Sequence, residues 1–120
     1  MSYPFEEHER KGIIGSVHRA VLEVLSENGG LYEEALQKEV QQRLGHNFSK
    51  EKFEDALRHF IPHKVLRYSP RQAFISDKEE VKKWGKDAGH NETVYDVEIS
   101  PTYLKAVRNF IAPRVKVHPR

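Results

Sequence analysis

The chain contains no cysteine, which excludes disulfide scaffolds, thiol nucleophiles and cysteine-ligated zinc. This fits a reducing compartment, so an intracellular protein, cytoplasmic or nuclear, is expected. Long apolar runs are also missing. None approaches the roughly 20 residues that a membrane-spanning helix needs, and no membrane association is expected. The N-terminal stretch from Met1 to Arg10 is acidic and has no apolar centre, so it does not read as a secretory signal. No glycine-rich Gly-x-x-x-x-Gly-Lys phosphate loop occurs, and no Gly-x-Ser-x-Gly elbow. The carboxylates fall on helical surfaces, and so short a chain has few residues to spare for a concave pocket. The expectation is therefore a binding protein and not an enzyme, with no cofactor and no metal.

A strong charge of one sign is lacking as well: the formal net charge is +2. It is unevenly placed, since residues 1–60 carry 8 Lys/Arg against 11 Asp/Glu and residues 61–120 carry 12 against 7. The second half can therefore meet a polyanion. Of the 120 residues, 38% are hydrophobic, with 6 Phe, 5 Tyr and 1 Trp, enough bulk for one compact core in a chain of single-domain length.

The apolar pattern orders the elements. Ile14, Val17, Val21 and Leu25 recur at helical spacing and predict a first helix from about Gly12 to Glu27, stopped by Asn28-Gly29-Gly30. Leu36, Val40 and Leu44 predict a second from about Leu31 to Leu44. Ser49 is a good N-cap for a third, whose buried stripe is Phe53, Ala56, Leu57, Phe60 and Ile61 and which Pro62 ends. The period then shortens. Val65 to Tyr68 and Ala73 to Ser76 read as two strands joined by a Ser69-Pro70-Arg71-Gln72 turn. Asp77 with Glu80 opens a short helix ending near Trp84-Gly85, with Trp84 expected in the core. Lys86 to Thr93 reads as loop and Val94 to Ile99 as a strand. A last helix starts at Ser100-Pro101 and ends at Pro113, followed by a basic tail.

Three helices followed at once by a β-hairpin resembles the winged-helix variant of the helix-turn-helix, over Ile13 to Ser76. The expected fold is mainly α with a small β-hairpin: an N-terminal arm over 1–11, the winged-helix domain over 12–85 and a C-terminal extension with one helix over 86–120. The resemblance implies that Ser49–Ile61 is the recognition helix and Val65–Ser76 the wing. The third helix would then turn Lys50, Glu51, Glu54, Asp55, Arg58 and His59 towards a DNA groove, and the wing would present Arg67 and Arg71. Lys64, Lys82, Lys83 and Lys86 extend this basic set. Glu51, Glu54 and Asp55 would face phosphates, which costs affinity. The expected function is nucleic-acid binding, double-stranded DNA first, as a transcription regulator or accessory factor. The alternative is a protein-interaction module using the acidic third helix or the C-terminal helix.

Two readings concern packing. The apolar face Tyr103, Leu104, Val107, Phe110 and Ile111 either closes the monomer's core or pairs with a second copy in a homodimer. His59 and His63 have a metal-ligand spacing, with His46 the nearest third candidate, but Pro62 breaks the helix between them. A surface role is expected for all seven histidines. Gly12-Ile13-Ile14-Gly15 matches the Gly-x-x-Gly loop of KH domains, yet its apolar middle pair fits a helical core stripe instead.

Overall fold

The computed structural model describes residues 3–45, 48–75 and 90–115. Along them run α1 (Phe5–Arg10), α2 (Ser16–Asn28), β1 (Leu31–Tyr32), α3 (Glu33–Leu44), α4 (Lys50–Phe60), β2 (Leu66–Ile75), β3 (His90–Ile99), a 3-10 turn (Pro101–Tyr103) and α5 (Leu104–Val115). The fold is mixed α/β: five α-helices among the described residues packed with a three-stranded antiparallel sheet. No helix among the described residues is long and apolar enough to cross a membrane.

The helix α2 sits at the centre. Val17, Ala20, Val21, Leu22, Val24 and Leu25 are all buried, too many for one stripe, because α3, α4 and α5 pack around it. It starts at Ser16, four residues later than the apolar pattern suggests. Gly12, at φ 81°, turns the chain, so Ile14 drops into the core while Ile13 stays 42% exposed. Asn28 and Gly29 end it as expected, with Gly29 at φ 76°. Gly30 runs close to β3: a Cβ there would stand 3.3 Å from that of Asp96. The start of α4 also matches expectation, the Ser49 hydroxyl accepting from the Lys52 N–H at 3.3 Å.

The N-terminal arm carries structure of its own. Glu6 and Glu7 begin α1 and Arg10 ends it, the charge order that a helix dipole favours. Phe5 anchors it, stacked on Phe110 at 5.3 Å between ring centroids.

The sheet corrects the hairpin. Ser69-Pro70-Arg71-Gln72 is no turn: β2 runs unbroken from Leu66 to Ile75 and pairs with β3 in register from Leu66↔Ile99 to Ile75↔His90. The strand order β1–β3–β2 explains how Pro70 is tolerated. An edge strand has a row of N–H groups with no ladder partner, so proline's missing donor costs little there. The strand β3 starts at His90, inside the stretch expected to be loop, and is the central strand. The hairpin connection therefore lies at 76–89 and not at 69–72. The short helix expected from Asp77 to Trp84 and the core position expected for Trp84 lie outside the described residues.

Only the base of this ribbon joins the core. Leu66, Val97 and Ile99 are buried, and no described side chain further out is. Nine ladder steps at about 3.3 Å carry the pair roughly 30 Å from Leu66↔Ile99 to its far end. At the C-terminus, α5 continues two residues past Pro113 to Val115. A proline in the final turn removes one hydrogen bond from a helix end that is already short of partners.

Candidate nucleic-acid interface

Lys50 and Arg58 are exposed on α4, as expected, but that surface is balanced. Lys50, Lys52 and Arg58 share it with Glu51, Glu54 and Asp55, and Arg58 donates to Asp55 at 2.7 Å. Among the described residues of α4 there is no uninterrupted basic face. Lys64 is exposed just beyond, held at φ 65° in the turn that carries the chain from α4 into β2.

His59 departs from expectation. It turns towards the N-terminal arm, where its Nε2 is hydrogen-bonded to the Tyr3 hydroxyl. His8, His18 and His63 lie around it, with ring centroids 6.1, 5.6 and 5.0 Å away. Burial lowers the His59 pKa, and the neighbouring His18, His63 and His8 lower it further. Burial also lowers that of His18, partly offset by Asp55. His8, His18 and His59 are half-buried and only His63 of this group is exposed, so an all-surface role for the histidines does not hold. No group of three metal-ligating side chains has a geometry for a metal ion among the described residues. His46 lies outside them.

The ribbon's two faces differ. One carries the expected arginines. Arg67 stands opposite Glu98 and reaches it at 2.6 Å, and Arg71 grips Asp96 with two bonds of 2.8 and 3.1 Å. Both arginines are exposed, yet each is already neutralised across the ladder. The other face continues the core side outwards as Tyr68, Pro70 and Tyr95, with Tyr68 44% and Tyr95 57% exposed. Tyr68 donates to Glu33 at 2.6 Å, and burial, reinforced by that carboxylate, pushes its pKa up to about 12. Sequence reasoning missed this aromatic row, because assigning a turn at 69–72 put Tyr68 and Tyr95 in unrelated elements.

Lys82, Lys83 and Lys86 lie outside the described residues. The apolar face expected either to close the monomer's core or to pair two copies is used inside the single chain: Val107, Phe110 and Ile111 are buried against the core, with Tyr103 and Leu104 half-buried beside them. Arg19, which no pattern singled out, locks this arrangement. It is 8% exposed, donates to the Phe110 and Ile111 carbonyls at 3.3 Å each, pairs with Glu9 at 3.2 Å and Glu23 at 3.4 Å, and lies 4.5 Å over the Phe110 ring. Neither a protein-family model nor a curated protein matches the chain.

Proposed function

We propose that the chain is a winged-helix module that binds nucleic acid, double-stranded DNA first, as a regulator or accessory factor, and that it leads with its ribbon and not with its third helix. The observation that carries this reading is the ribbon itself, a two-stranded ladder in which, among the described side chains, only those at the base are buried. A two-stranded β-ribbon fits the major groove of B-DNA. The order of three helices and then an antiparallel pair, with α4 last of the three, supports the winged-helix assignment.

Charge assigns the roles within it. The balanced face of α4 gives little electrostatic attraction. The connection from Ile75 to His90 begins and ends at the ribbon's far end. Its acidic residues Asp77, Glu79 and Glu80 come first in sequence, and Lys82, Lys83 and Lys86 follow with Asp87, so the cations are segregated along it although its total charge is balanced. The Arg67–Glu98 and Arg71–Asp96 pairs are exposed. Such pairs contribute about 0–1 kcal/mol, so phosphates can replace these carboxylates at small cost.

The test is binding of labelled duplexes and single strands at two salt concentrations. Lys82, Lys83 and Lys86 changed together to Ala should weaken binding at least about tenfold and flatten the dependence of log K on log salt by up to about 3, one unit per lost phosphate contact. The pair Arg67→Ala and Arg71→Ala should weaken binding less, and equally across sequences. No binding to either nucleic acid at low salt ends the reading.

A second reading, a protein-interaction module, is favoured by the exposed row Tyr68, Pro70 and Tyr95, since tyrosines are enriched at protein interfaces. It predicts a partner whose capture survives nuclease treatment and is lost when Tyr68 and Tyr95 are changed to Ser.

A further inference from the structure

The N-terminal arm, which carries His8, closes over three further histidines, His18 of α2, His59 of α4 and His63 just beyond it. Tyr3, only 7% exposed, inserts between them. Its ring meets His8 edge-on at 4.7 Å, His63 at 5.3 Å, His59 at 5.7 Å and Phe60 at 5.9 Å. His18 of α2 backs the group, 5.6 Å from both His59 and Phe60. A tyrosine seated among imidazoles is stable while they are neutral. If they are protonated, the same distances bring several like charges together around a phenol that cannot neutralise them.

Few carboxylates face the group. From α4, Asp55 acts on His18 but is held by Arg58, and Lys52 lines the same hollow as His18 and Asp55. On α1, Glu7 is paired with Lys11 and Glu9 with Arg19. Lys64 follows His63 in the turn after α4. The Nδ1 atom of His8 is buried with no hydrogen-bond partner in the structure. Protons added to His18 and His59 are therefore opposed by burial and by the neighbouring rings, with Asp55 the offsetting carboxylate.

We propose that the histidine cluster around Tyr3 forms a proton-operated latch carried by His18 and His59: with these two neutral the arm Tyr3–Arg10 stays on α4, and their protonation releases it. Release withdraws Tyr3 from His59, Phe5 from its seat against Phe110 and Tyr103, and Glu9 from Arg19, which keeps Glu23 and the α5 carbonyls. It uncovers the C-terminal half of α4 and an apolar patch beside it, without unfolding the trio of helices behind. The inference does not depend on what the ribbon binds.

The direction follows from linkage. His59 and His18 have lowered pKa values in the closed form, so the released arm takes up more protons than the docked one. Docking is then fully present above the ordinary histidine value of about 6.5 and is lost as pH falls below it, by about tenfold per pH unit for each proton taken up.

Amide exchange of the whole chain, corrected for its intrinsic pH dependence and run with a chelator, reads this directly. Between about pH 7.5 and 5.5, protection of the α1 amides should fall at least tenfold, while those of Leu36 and Val40 keep theirs. The paired change His59→Gln and His63→Gln keeps polar side chains without the charge and should cut the loss of protection between the two pH values, leaving the share that His18 supplies. His8→Gln, on the arm itself, should reduce the pH dependence on its own should the double variant fold poorly. Undiminished α1 protection at about pH 5.5, parallel loss at Leu36 and Val40, or unchanged pH dependence in the glutamine variants would each overturn the latch. So would loss of protection at neutral pH on adding the chelator, which would mean that a metal holds the arm.

Discussion

A residue's pattern of neighbours along the chain says little about a side chain whose partners are far away in sequence. Arg19 is the clearest case. It falls within an apolar helical stripe, where an arginine would ordinarily sit at the wet margin. Instead it is buried, bonded to carbonyls 91 and 92 residues on and to two glutamates. Removing one partner of a buried ion pair leaves the other uncompensated. Arg19→Ala should cost about 3 kcal/mol or more, read as a lowered midpoint in thermal or urea unfolding, whereas Lys11→Ala, at an exposed pair, should move it by less than about 1 kcal/mol. The histidines make the same point. Tyr3 and His59 stand 56 residues apart, and no local spacing announces that they meet.

At the scale of the element, α2, α3 and α4 were legible and the strands only partly so, while α1 lies in a stretch expected to be an arm. The stripes of α2, α3 and α4, the Ser49 cap and the stop at Asn28-Gly29 depend on contacts within four residues, which sequence displays directly. Pro70 misled because turn chemistry is local while strand pairing is not: its partner across the ladder is Tyr95. The edge position also gives this proline a protective use, since an edge proline discourages pairing with another chain. Pro70→Val should change stability by less than about 1 kcal/mol but increase self-association, measured by sedimentation across a concentration series. Were 69–72 a turn, the same change would instead destabilise the fold, with no gain in association.

For the whole molecule, the unexpected feature is how the C-terminal residues complete the fold. The segment assigned to an extension supplies the central strand β3 and the helix α5, and Val97, Ile99, Val107, Phe110 and Ile111 all enter the core. A chain ending at Gly89 should therefore fail to unfold cooperatively, seen as a broad, featureless thermal transition, even though it keeps all three helices of the expected domain. What the sequence determined by itself was set by short-range physics: the absence of cysteine chemistry, the three amphipathic helices and their caps, and a change of period after Pro62. Tertiary structure alone decided which strand lies in the middle, that 69–72 continue a strand, which arginine is buried and that three histidines, with a fourth behind them, gather on one tyrosine. Each of these depends on contacts between distant residues, whose burial energy outweighs local preference and leaves no periodic trace in the chain.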